Sequence, residues 1–366
     1  MGFSGIMLLF NLYLKELGFP ESRIGNIISA TTAGTAIMAI PASLLLRRFP
    51  IKRILIIATP IAVFSYLLQV TVAQYQLIIL AGFAAGIAVV FSRVAAAPFF
   101  MRNSTPKERP YLFSMQFAST LVAGIIGNIL GGFLPGIIEH AGLVPYLTYR
   151  YTLVIFSGLV LASLIPISMI KQTIPRRTER IRIHSSRMIG KLFLPNLIVG
   201  IGAGLSIPFL NLYFKDVFHA KTALIGILYS LQQVIMIGGL LIAPLIAERI
   251  GKIRTVVISQ LISIPFLIIL GVTNQIIFAV LAFLIRAAFM NMAQPLFTNF
   301  AMEKVKHDEQ PFVNALLVIA WTVGWGASAS IGGLLIERFS YAIPFFTTSF
   351  LYLVSTILIF TFFKEE

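Results

Sequence analysis

The sequence predicts an all-α membrane protein, a 12-helix bundle of two six-helix parallel repeats, and three observations carry that prediction. Of the 366 residues, 58% are hydrophobic and only 11% are charged, whereas a soluble domain carries about 25% charged residues. Apolar stretches recur at about 20 residues, the length that crosses a bilayer as a helix. The second half of the chain also restates the first at an offset of about 200 residues.

The spans follow in order. The first half holds Ile24–Leu46, Ile54–Ala73, Leu77–Met101, Tyr111–Ile138 and Tyr151–Ile170, and the second holds Leu192–Phe214, Ala223–Ala247, Thr255–Val272, Ile276–Ala301, Phe312–Ile336 and Tyr341–Phe363. None alternates polar with apolar residues, so each reads as a helix that satisfies its own backbone in lipid, not as a barrel strand. The opening stretch, Gly2–Leu14, is too short to cross upright and lacks the basic start and cleavage site of a signal peptide. It reads as a helix truncated at the N-terminus. FNLYLKEL at Phe10–Leu17 matches LNLYFKDV at Leu210–Val217, and Gly25, Arg48, Gly131 and Gly132 match Gly226, Arg249, Gly332 and Gly333. By that register the first helix is expected to begin about eight residues before Met1. The domains are then 1–170, a six-helix bundle; 171–191, a basic cytoplasmic linker; and 192–366, a second six-helix bundle.

Charge orients the bundle. Lys and Arg are retained on the cytoplasmic side of short loops, and 20 of them fall after the even-numbered helices against six on the opposite face. The C-terminus is therefore expected inside. A net charge of +15 with a mean hydropathy of +0.93 reads as a basic membrane face against anionic lipid, with no nucleic acid partner.

Several chemistries are excluded. Cysteine is absent, which removes disulfides, thiol nucleophiles and Cys-ligated metals. Ser4 in GFSG has no spanning histidine to activate it. GIGAG at Gly200–Gly204 lies within an apolar helix and follows no strand, so it is not a dinucleotide turn. No phosphate-cradling loop or metal cluster is present, and neither an enzyme nor a cofactor is expected.

Polar groups inside the spans are the remaining candidates. All 13 acids lie in loops or near helix ends, so no spanning carboxylate serves as a proton carrier. The repeat-equivalent Glu16 and Asp216 read as interfacial ion-pair residues. Arg286 sits about 15 Å into the tenth helix, too deep for easy snorkelling, and Arg93 about 12 Å from the inner end of the fourth. An intramembrane ionisable residue is a functional hypothesis by default. Arg286 is assigned to an anionic group of a substrate, the alternative being a guanidinium bonded to helix carbonyls; for Arg93 the structural reading is preferred. Asn291 follows Arg286 by five residues and Gln294 by eight, and Gln294 shares its face. Asn11 and Asn211, equivalent in the repeat, offer either a symmetric cavity contact or interhelical hydrogen bonds. Trp321 and Trp325, one turn apart, could stack on a substrate ring, with bundle packing the preferred reading.

Twelve helices in two parallel repeats, joined by a long central cytoplasmic loop, resemble the major facilitator superfamily of secondary transporters. APLIAERIGKIR at Ala243–Arg254 resembles the family's loop signature, with Glu248, Arg249, Gly251, Lys252 and Arg254 at the gating positions. In the first half Arg47 stands where that signature has an acid, and Gly82 stands where the family has a mid-helix arginine. GNILGG at Gly127–Gly132 resembles the antiporter signature, with Asn128 in place of its proline and with Gly127, Gly131 and Gly132 available for close helix packing. The resemblance implies that helices 1, 4, 7 and 10 line a central cavity, which puts Arg286 and Arg93 on the transport path. The expected function is secondary active transport of a small organic solute by alternating access, export favoured. Uptake of a small organic anion and a non-transporting scaffold are the alternatives. The expected partners are a small-molecule substrate, the bilayer and, where transport is ion-coupled, a proton or sodium ion, for a monomer in the cell membrane.

Overall fold

A computed structural model describes residues 1–102, 105, 108–140, 142–170, 186–306 and 309–364. Among these residues the chain is helical and has no strand. The greater part of the central linker, 171–185, lies outside them.

In the first half the helices are α1 (Gly2–Glu16), α2 (Glu21–Arg48), α3 (Ile51–Thr71), α4 (Tyr75–Arg102), α5 (Arg109–Glu139) and α6 (Pro145–Ala162, then Leu164–Met169). The second half begins with α7, which runs as Ser186–Ser206, a 3-10 turn at Ile207–Phe209, and Leu210–Phe218. It continues with α8 (Thr222–Ile250), α9 (Lys252–Val272), α10 (Ile276–Glu303), α11 (Gln310–Arg338) and α12 (Ala342–Phe363). Eleven of these are long and apolar enough to cross a membrane, and α1 is the short twelfth. Large apolar side chains such as Phe64, Leu80, Leu241 and Ile277 are more than 60% exposed. A soluble protein would bury so many, whereas lipid is a good solvent for them.

Two spans predicted as continuous are interrupted, each next to a proline. Pro208 lacks the N–H that would continue α7, and the backbone tightens there to 3-10 geometry, with Ser206 at φ −123° and ψ −41°. Pro166 follows the break in α6 at Ser163 in the same way.

The helices gather into two compact units. One contains α1, α3 to α6, α2 beyond its opening turn and the first two turns of α8 (Lys221–Ser230); the other contains α7, α9 to α12, the remainder of α8 and the opening turn of α2 (Pro20–Gly25). Inside the first unit α1 packs on α5 and α6, and α3 on α4 and α6. Inside the second α7 packs on α11 and α12, and α9 on α10 and α12. At the offset of about 200 these are the same four pairings.

The repeated NLY motif supplies a common tie. The Tyr13 hydroxyl donates to the carbonyl of Val70, and the Tyr213 hydroxyl donates to that of Leu270 at 2.7 Å. Each tyrosine spans 57 residues to the end of the third helix of its own repeat. The turns that follow also match. Gly18 at φ 81° ends α1, and His219 at φ 51° ends α7 in the same left-handed conformation. Phe19 N–H then returns to the Leu14 carbonyl, and Ala220 N–H to that of Phe214.

Candidate functional site

Two cavities stand out, one in each unit. That of the second unit has a volume of about 460 Å³. Its chemistry comes from two helix faces with an i, i+4 pattern. On α10, Arg286, Met290, Gln294 and Thr298 form one ridge, with Asn291 beside it; on α11, Asn314, Val318, Trp321 and Trp325 form the facing stripe. Gln232 on α8 and Tyr352 on α12 close the polar part of the wall.

Arg286 is 3% exposed, and its Nε is buried without a hydrogen bond. It lies ten residues into α10, about 15 Å along the axis. Among the described residues lining this cavity it alone carries a charge. Asn291 donates its amide to the Ala287 carbonyl of its own helix at 2.8 Å, which holds that carboxamide against the wall. The Gln232 amide contacts the Met236 sulfur at 3.9 Å. The two indole rings lie 4.8 Å apart between centroids and are inclined by 32°.

The glycines of GIGAG fix where those indoles stand. A Cβ on Gly200 would lie 2.6 Å from the Trp321 carbonyl oxygen, and one on Gly204 only 2.2 Å from that of Trp325. The absence of side chains on α7 therefore lets α11 approach backbone to backbone, and the tryptophans reach the cavity from that contact.

The first unit's cavity is about 440 Å³ and lies among α3, α4, α5, α6 and the start of α1. Arg93 lines it together with Tyr66, Gln116 and an otherwise largely apolar wall. Here the arginine is exposed, and its guanidinium carbon sits 5.5 Å from the centroid of Phe3.

Of the residues picked out in the sequence, Arg286, Asn291 and Gln294 meet in one cavity and Arg93 stands in the other. Asn11 and Asn211 line neither. Asn211 accepts the Leu212 N–H at 2.9 Å just after the break in α7, a local backbone role. Trp321 and Trp325 line the Arg286 cavity as well as packing against each other. Sequence reasoning misses Asn314 and Tyr352. The spacing of Asn314 from the two tryptophans, seven and eleven residues, is the signal that they share a face.

The loop signature closes the α8–α9 turn. Gly251 adopts φ 88°, a conformation costly for other residues, and Glu248 and Arg249 are exposed. Lys252 reaches Asn299 at 2.7 Å and pairs with Glu303 at the end of α10. Arg254 follows in the first turn of α9. The α5 glycines lie at close helix contacts: a Cβ on Gly127 would come 2.4 Å from the Met1 oxygen, on Gly131 3.2 Å from Leu8, and on Gly132 2.9 Å from Gly226. Asp216 accepts a hydrogen bond from Tyr341 at 2.7 Å.

The repeat, the shared helix pairings and the Gly251 turn agree with a match to the family model described as Major Facilitator Superfamily, over residues 1–187 and 192–366. The chain belongs to the major facilitator superfamily. Its members are transporters, not enzymes, and this chain is a multi-pass membrane transport protein. A relative from Salmonella enteritidis PT4, named as the uncharacterized MFS-type transporter YcaD, is 22% identical over 94% of this chain and 89% of its own. A mutant of the nucleoside transporter NupG superposes with a TM-score of 0.81 at 11% identity, covering 99% of this chain and 96% of that one. A bacterial homologue of the human lysosomal transporter Spinster, inward-facing and unoccupied, gives 0.78 at 13% identity over 98% and 92%. The human organic anion transporter MFSD10 gives 0.63 at 16% identity over 95% and 88%. At these identities the likeness is one of fold.

Proposed function

We propose that the chain is a secondary active transporter that carries a small organic solute through the cell membrane by alternating access, with export favoured over uptake. The halves 1–170 and 192–366, joined by the basic segment 171–191, would rock about the bound solute, driven by an ion or solute gradient. The observation that carries this reading is the cavity that combines a 3% exposed arginine with amide side chains deep in a helical unit. A buried charge beside a cavity wide enough for a solute is a functional hypothesis by default. The partial antiporter signature at Gly127–Gly132 supports export. One fold neighbour is described as an organic anion transporter, but the anion assignment here rests on Arg286 itself.

Reconstitution in liposomes tests the reading. Protein-dependent counterflow of a small organic solute is expected, and the absence of flux across a broad panel of anions, cations and neutral solutes would overturn it. Because the chain has no cysteine, a single Lys364→Cys variant tests the expected cytoplasmic C-terminus. An impermeant thiol reagent should label it in inside-out vesicles and not in right-side-out ones.

A further inference from the structure

We infer that the second unit's cavity takes an aromatic organic monoanion, with Arg286 on the charge and Trp321 and Trp325 on the ring. This rests on the transporter reading above and names the class of solute. The cavity is about 460 Å³, toward the low end of the range of about 300–1,000 Å³ found for small-molecule sites.

Charge decides the sign and the valence. Arg286 is the one charged residue among the described residues lining this wall, so a cationic ligand would meet like charge in a poorly solvated space. A dianion would bring one charge more than the wall can neutralise, and a buried unpaired charge is strongly unfavourable. A single carboxylate matches the planar fork of a guanidinium.

The walls decide the rest. Two indoles from one helix face line the same space, 4.8 Å apart, and their faces favour stacked or edge contacts with a planar ring. Gln294, on the Arg286 ridge, and Asn314 supply neutral hydrogen-bonding groups for ring substituents. An aliphatic acid of equal size would keep the charge contact and lose the stacking.

Trp321 and Trp325 are the chain's only tryptophans, so intrinsic fluorescence under tryptophan-selective excitation reports on this cavity alone. The full chain in liposomes is titrated with benzoate, cyclohexanecarboxylate, benzamide, benzylammonium and phthalate. Benzoate should give a saturable change. Cyclohexanecarboxylate should bind about threefold to tenfold more weakly, benzamide and benzylammonium at least about tenfold more weakly, and phthalate no tighter than benzoate. Arg286→Met should weaken benzoate at least about tenfold, with Arg286→Lys in between.

Benzamide or benzylammonium binding as tightly as benzoate, or unchanged benzoate binding in Arg286→Met, overturns the inference. Equal binding of cyclohexanecarboxylate overturns its aromatic part. The ligand ranking on the unaltered chain is decisive even if the methionine variant fails to fold. Counterflow of labelled benzoate in the same vesicles separates the two readings. Ranked binding without flux overturns transport and upholds the ligand class, whereas flux of a cationic or neutral solute with no benzoate response overturns the class and leaves transport standing.

Discussion

The two cavities are nearly equal in volume, about 440 Å³ in the first unit and 460 Å³ in the second, yet their walls differ in kind. At the offset of 201 that aligns the later helices, Arg286 corresponds to Ala85, which is fully buried, and Gln294 to Arg93. Trp321 and Trp325 align with Thr120 and Gly124. The first unit thus has an alanine at the position where the second holds its buried charge, and its own arginine is exposed and rests near Phe3. The frame is common to both repeats, since the tyrosine ties and the four helix pairings recur. Duplication has kept the frame while the two interiors have diverged in where their charge lies.

The contrast can be broken most severely by giving the first unit the second's charge. Ala85→Arg puts a guanidinium into a closed core and is expected to cost several kcal/mol. Detergent-extracted protein should then fail to give the monodisperse peak on size exclusion that is expected of wild type. The next largest effect concerns flux. Arg286→Met should lower counterflow of the transported anion at least about tenfold, and Arg93→Met less than about twofold, in the exposed-charge range. Equal losses would mean that both cavities bind solute.

Packing distinguishes the units less sharply. Gly204→Ala would set a methyl group 2.2 Å from the Trp325 oxygen and from the Ser328 hydroxyl, costing about 1–3 kcal/mol. Gly136→Ala on α5 meets nothing within 4 Å and should be neutral or stabilise by up to about 1 kcal/mol through helix propensity. Thermal unfolding in detergent reads both. The smallest effect tests the sameness of the repeats: Tyr213→Phe removes one hydrogen bond to a backbone carbonyl and should cost about 1 kcal/mol, whereas Tyr13→Phe also removes the contacts from the Arg150 guanidinium at 3.3 and 3.4 Å and should cost more. Equal costs would show that the Arg150 contacts add nothing to the tie in the first repeat.

The fold was legible because lipid imposes a simple grammar. Spans announce themselves by length and apolarity, and the NLY motif and the paired glycines gave the repeat its register. Arg286 was legible for the same reason, as a charge where charge is costly. The breaks in α6 and α7 were less so: a proline marks where a helix can bend, but whether it bends depends on what packs against the released carbonyl. Asn11 and Asn211 show the limit in another way. Their equivalence in the repeat is real, but neither lines a cavity, and the hydrogen bond from Leu212 N–H to Asn211 at 2.9 Å is one that no residue spacing announces. The tryptophans look like ordinary bundle packing in sequence, and only the folded chain shows that they also line the Arg286 cavity.

The tyrosine ties have a practical corollary for engineering. Since Tyr13 and Tyr213 anchor to main-chain oxygen and line neither cavity, the ties do not run through the side chains that line either interior. Cargo preference could then be rewritten along the 286, 290, 294, 298 ridge while the girders that hold each half in shape are left untouched.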